Sequence, residues 1–161
     1  MNNKIFKKVI LIVAVSLVLS IAIAYNVYVP SMKNTTFGNI NIAVPKEYNC
    51  NETETGTNLL SHMTFSSADN KTSIIYQCYK TSEMTNIERK MTEENIVTIK
   101  NNMIKDGNVD CEKINEINVL TDADRKLLLF ERNDNIYLVS IDTTSKFVSD
   151  IIAKKIIKSI Y

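Results

Sequence analysis

Residues 125–142 run RKLLLFERNDNIYLVSID. Two apolar-rich segments, Arg125–Arg132 and Asn135–Asp142, flank Asn133 and Asp134. The pattern predicts two strands joined by a tight hairpin, because Asn and Asp tolerate the backbone that such turns require. Downstream, Ser145 is placed to cap a helix running to Tyr161. Phe147, Val148, Ile151, Ile152, Ile156 and Ile160 form its broad apolar side, and Lys154, Lys155 and Lys158 lie toward the end that favours cations.

Working back from the hairpin, residues 109–120 read as one further strand. Before it lies a change of period. Thr85-x-x-Glu88 has capping-box spacing, and Thr92 followed by Glu93 and Glu94 offers a second helix start. Thr92, Ile96, Ile99 and Met103 share one helical stripe, which Val97 and Ile104 widen. Ile87 and Met91 are out of phase, so the early turn reads as separate or kinked. Asp106-Gly107 closes the helix, with Gly107 suited to the left-handed position.

Earlier still, residues 37–48 alternate, with Ile40, Ile42 and Val44 opposing Asn39, Asn41 and Ala43, and read as a strand stopped by Pro45. Residues 49–58 are polar, carry Gly56, and read as a loop. Leu60–Ser66 alternates again, residues 67–70 make a turn, and 72–80 form a strand rich in β-branched and aromatic side chains. The order βββαβββα predicts an α+β domain with a largely antiparallel six-stranded sheet and two packed helices.

The chain resembles the PsbP-like fold family, which includes bacterial extracytoplasmic relatives of the photosystem II extrinsic protein. The resemblance rests on this element order and on two stretches. One is the strand closing on proline, Ile40-Asn41-Ile42-Ala43-Val44-Pro45-Lys46-Glu47-Tyr48. The other is the ending, Asn135-Ile136-Tyr137-Leu138-Val139-Ser140 leading into Ile156-Ile157-Lys158-Ser159-Ile160. It implies a mostly non-enzymatic domain that docks on partners or assists assemblies, and it carries no site motif onto this chain.

The beginning of the chain speaks to compartment. Lys4, Lys7 and Lys8 precede an uncharged apolar run over residues 9–24, continued by Tyr25, Tyr28 and Val29 to Pro30. About 20 apolar residues span roughly 30 Å, one bilayer core. The predicted division is a basic cytoplasmic segment 1–8, a transmembrane helix or signal peptide 9–29, a polar spacer 30–36, and an extracytoplasmic domain 37–161. Ala22-Ile23-Ala24 fits a cleavage site that would release a secreted chain beginning at Tyr25. Tyr25 and Tyr28 instead suit an interfacial belt on an uncleaved anchor.

With 19 basic and 18 acidic residues the net charge is +1. That balance gives no global field for nucleic acid. Three glycines and two prolines exclude collagenous or linker-like chains. Three cysteines, Cys50, Cys78 and Cys111, follow the apolar run. A Cys50–Cys78 disulfide would be worth roughly 3–4 kcal/mol in the chain-entropy picture. The sequence does not choose among the three pairings, and three small buried residues are the alternative. No C-x-x-C and a single histidine, His62, argue against a metal or other cofactor.

His62 opposes Met63 and Phe65 on its strand, which places it toward solvent. Asp122-Ala123-Asp124 reads as a turn with solvated charges, and Glu93 with Glu94 as charges near a helix N-terminus. No G-x-S-x-G, phosphate-cradling loop or zincin pattern occurs, so no catalytic residue is assigned. Tyr48, Tyr76, Tyr79 and Tyr137 are candidates for a protein-binding surface. The expected function is an envelope docking domain; small-ligand binding between sheet and helix is the alternative.

Overall fold

The computed structural model describes residues 3–54, 60–105 and 109–161, with backbone alone at 3–9, 23–28, 52–54 and 105. The chain divides into two compact units, Met1–Pro30 and Ser31–Tyr161. The first holds helix α1, Asn3–Tyr28. Ser16 and Ser20 donate their hydroxyls to the carbonyls of Ile12 and Ser16, at 2.7 and 2.8 Å. Both polar side chains in the run are thus satisfied by their own helix. The described side chains of α1, from Ile10 to Ala22, cover about 20 Å at 1.5 Å per residue. Among the described residues no helix is long and apolar enough to cross a membrane, so the expected transmembrane helix is not found there. The side chains of Ile23, Ala24, Tyr25 and Tyr28 lie outside the described residues.

The second unit is α+β. Its strands are β1 Met32–Phe37, β2 Ile40–Pro45, β3 Asn49–Glu54, β4 Leu60–Ser66, β5 Ser73–Tyr79, β6 Val109–Ile114, β7 Ile117–Asp122, β8 Arg125–Arg132 and β9 Asn135–Asp142. Helices α2, Asn86–Lys105, and α3, Lys146–Ile160, complete it. Strands β1 and β2 form a separate hairpin, and the other seven pair antiparallel in the order β3-β4-β5-β9-β8-β7-β6.

The sheet is antiparallel as the sequence predicts, but the six-strand count is corrected to seven plus two among the described residues. The spacer assigned to 30–36 is largely β1, which is paired residue by residue with β2 from Met32↔Pro45 to Phe37↔Ile40. The loop assigned to 49–58 begins with β3, a polar edge strand whose backbone is held by β4; Gly56 lies outside the described residues. The single strand at 109–120 is two, because Asn115 and Glu116 both take positive φ, 47° and 69°, and turn the chain. That is the geometry of a primed two-residue hairpin. The Asn133-Asp134 turn has the same form, with φ of 50° and 58°.

One face of the sheet carries the main core. Ile74, Tyr76, Cys78, Ile117, Val119, Leu128, Phe130, Tyr137, Val139 and Ile141 project to it. Helix α3 and the β1–β2 hairpin cover that face with Val148, Ile152 and Ile156 and with Phe37, Ile42 and Val44. The Ala43 amide donates to Ser159 Oγ at 2.8 Å, tying the hairpin to α3. Phe147, expected on the apolar side of α3, is exposed. Ser145 makes no side-chain cap. Instead Thr143 Oγ1 donates to the Ser145 carbonyl and accepts from its amide, which fixes the entry to the helix.

Lys126 is buried in this layer. Its Nζ donates to Thr121 Oγ1 at 2.7 Å and pairs with Asp150 Oδ1 on α3 at 2.7 Å. A buried cation of this kind is tolerated only with such partners. The pair therefore fixes how α3 sits on β8 rather than adding much net stability.

Candidate binding groove

The tyrosines do not form one surface. Alternation turns Tyr76 and Tyr137 to the core, where both are fully buried. Tyr76 packs edge-on to Phe65, and Tyr137 stacks on Phe130 with centroids 5.2 Å apart. Tyr48 is half-buried against the same core, while Tyr79 lies on the opposite face beside Leu138 and Leu127. Burial pushes all four phenols above their ordinary value. The predicted tyrosine patch is corrected: the large apolar rings of Tyr76 and Tyr137 gain more from the core than from water.

Cys78 and Cys111 are free thiols. Cys50 lies across from Phe65, which lies across from Ile74, four residues before Cys78. The two are therefore about 10 Å apart across the sheet and about 13 Å along it, beyond the roughly 7 Å that a bridge tolerates. The Cys50–Cys78 disulfide is not formed. Cys78 is buried, and Cys50 and Cys111 are exposed on the two edge strands. His62 is half-buried, with Nε2 3.2 Å from Thr64 Oγ1. Ala123 takes φ 50° in the turn read between Asp122 and Asp124.

The second face of the sheet is covered by α2. Its start is the capping box: the Thr85 amide donates to Glu88 Oε2 at 2.8 Å, and the Glu88 amide donates to Thr85 Oγ1 at 3.4 Å. The Thr85 amide and the Thr85 hydroxyl, which donates to the same Oε2 at 2.7 Å, hold the Glu88 carboxyl below its usual range. The helix is continuous from there, so the second start at Thr92 and the kinked early turn are corrected. Ile87 and Met91 are out of phase because they face solvent, 74% and 59% exposed. Ile96 alone among the described α2 side chains is buried, with Met103 packed on Leu120, Leu127 and Leu138. The predicted helix end at Asp106-Gly107 lies outside the described residues.

This light docking leaves a groove of about 440 Å³ between α2 and strands β6 to β9. Its apolar floor is Ile96, Leu129 and Ile136, and Val97 walls one side, 53% exposed. Glu93, Glu116 and Glu131 rim it, with Lys113 and Asn118. Each arrives by a different route. Glu93 lies mid-helix and pairs with Arg89 at 3.1 Å one turn earlier, not at an N-terminus. Glu116 is set by the β6–β7 turn. Glu131 continues the row of Leu127 and Leu129 on β8, since alternate strand residues share a face.

The shape and size suit recognition: a small apolar basin with a few polar groups on its edge is the usual form of a binding site. Among the described residues no three His, Cys, Asp or Glu side chains converge on a point. Sequence reading noted Glu93 and Val97 but not Lys113, Glu116 or Glu131 as neighbours. The available signal was the Thr85-x-x-Glu88 cap, which sets the phase of α2 and turns Glu93 and Val97 to one side. The chain matches no family model, no curated protein and no solved structure with which it was compared.

Proposed function

We propose that this chain is a membrane-tethered, extracytoplasmic docking domain of PsbP-like type that binds an envelope protein partner without catalysing a reaction. The tether would be residues 9–29, with the lysines of the first eight residues in the cytoplasm. The uncharged apolar run and the back-bonded hydroxyls of Ser16 and Ser20 support this reading. A tether confines domain and neighbour to one thin layer and so raises their effective concentration.

The observation that carries the docking part is the groove on the α2 face, with Val97 exposed beside a basin of buried Ile96 and Ile136 and half-buried Leu129. Exposed apolar area next to polar rims is where partners bind. The test is photocrosslinking in living cells from a benzoylphenylalanine at position 97 and, separately, at position 154 on the solvent side of α3. A discrete membrane or envelope adduct from position 97 but not from 154 supports the reading. Equal adducts from both positions, or none from either, sinks it.

A second reading is favoured by the groove's volume, which falls in the range of small-molecule sites. A ligand held there would raise the melting temperature of the purified chain in a compound screen, and Val97→Asp would remove that rise.

A further inference from the structure

Building on the docking reading, we infer that the groove receives a lysine or arginine presented beside an apolar residue by a polypeptide segment of the partner. The chain as a whole carries +1, yet the groove sets Glu93, Glu116 and Glu131 against Lys113 alone. Three negative groups to one positive is a sign opposite to the background. Glu93 has Arg89, an exposed pair of little weight. Among the described residues no ion pair joins Glu116 or Glu131 to a cation. The residue across from Glu131 is Ile136, and the one across from Lys113 is Asn118.

The floor narrows the chemistry further. A purely apolar ligand would press Glu131 against a dry surface without a counter-charge, which is costly. A purely charged one would leave Val97 and Leu129 wet. A Lys or Arg stem meets both demands, lying on the aliphatic floor with its head at the carboxylate rim. Length favours a polypeptide over a small amine. Val97 and Ile104 are both exposed and two turns apart on one side of α2, with Lys100 and Asn101 between them, so exposed apolar groups recur about 10 Å along the helix from the groove wall. Three residues of extended chain span that distance.

The test uses the full chain in nanodiscs, with Cys50→Ser and an environment-sensitive dye on Cys111. That thiol is exposed and two residues from Lys113 on the same strand and face. The probe is the amidated peptide Gly-Leu-Arg-Leu-Arg-Leu-Gly, compared with its glutamate-for-arginine twin and with spermidine. The arginine peptide should saturate the signal, and the glutamate twin should bind at least tenfold more weakly. Glu131→Lys and Val97→Asn should each weaken the arginine peptide at least fivefold, while Lys154→Glu on α3 should not. Circular dichroism of each variant checks that the fold is kept. Equal binding of the two peptides, or full binding to Glu131→Lys, overturns the inference. Spermidine displacing the peptide completely at lower concentration overturns it in favour of a small polyamine. These outcomes are independent of the crosslink at position 97, so failure of charge selection and failure of envelope docking are read separately.

Discussion

The phenol of Tyr76 donates a 2.8 Å hydrogen bond to the carbonyl of Ala43. It reaches from the middle of β5 to the middle of β2, and so joins the separate hairpin to the sheet beneath it. Since the Ala43 amide is bonded to Ser159, one peptide unit region of β2 is tied to both layers of the core. Tyr76→Phe leaves the ring packing intact and removes the hydroxyl. It should cost about 1–3 kcal/mol, the penalty for a buried acceptor left without its donor. Urea unfolding of the two proteins measures it, and a loss below about 0.5 kcal/mol would mean that water replaces the bond.

Gly38 turns the β1–β2 hairpin with φ +57°. A Cβ built there would lie 2.6 Å from Cys78 Sγ and 2.8 Å from Tyr137 Oη. Gly38→Ala therefore combines a left-handed alanine with overpacking, at about 2–4 kcal/mol together. Gly38→Ala with Cys78→Ala should recover part of the loss. No recovery would place the cost in the backbone and in the Tyr137 contact rather than in the contact with Cys78.

The three thiols should differ in reactivity. Cys50 and Cys111 are exposed, whereas Cys78 is buried and burial pushes its thiol above the ordinary 9.0. Thiolate is the reactive form. A chromogenic thiol reagent should titrate two groups quickly in the native chain and a third only on unfolding. Rapid reaction of all three would mean that the layer over Cys78 opens.

The alkaline limit of stability follows from the same burial. Cys78, Tyr76 and Tyr137 are all held protonated in the folded chain, while the unfolded chain ionises near 9.0 and 10.0. Their contribution is fully present below pH 9 and is lost as pH rises through the raised folded values. The melting temperature should be level from pH 7 to about 8.5 and then fall. Tyr76→Phe should flatten that fall relative to its own neutral value, and an unchanged slope would exclude Tyr76 as a contributor.

The reach of the sequence depends on where each element gets its stability. Strands β8 and β9 are legible residue for residue because their apolar content and the Asn133-Asp134 turn agree. Strand β3 is hidden because an edge strand with Asn49, Asn51 and Cys50 exposed owes its place to β4 rather than to any apolar alternation of its own. The β6–β7 turn is hidden because Asn115-Glu116 lacks the glycine that marks such turns. The Thr85–Glu88 cap is local and was legible; the groove is not, because sheet order brings Glu116, Glu131 and α2 together from separate parts of the chain.

Glu116 connects that hidden turn to the proposed function. It holds φ 69° at the second central position of a primed turn, where glycine is favoured and a side chain costs about 1 kcal/mol. Glu116→Gly should therefore stabilise the chain by about 0.5–1 kcal/mol, while removing a carboxylate from the groove rim. Glu116→Asn should keep the turn favourable and remove the charge in the same way. If the groove selects cations, both variants unfold at higher denaturant than the parent and bind the arginine peptide more weakly. If Glu116 is only a turn residue, stability rises and binding is unchanged. Chemical denaturation and the Cys111 dye signal on the same preparations separate these outcomes, because a merely structural substitution cannot raise one while lowering the other.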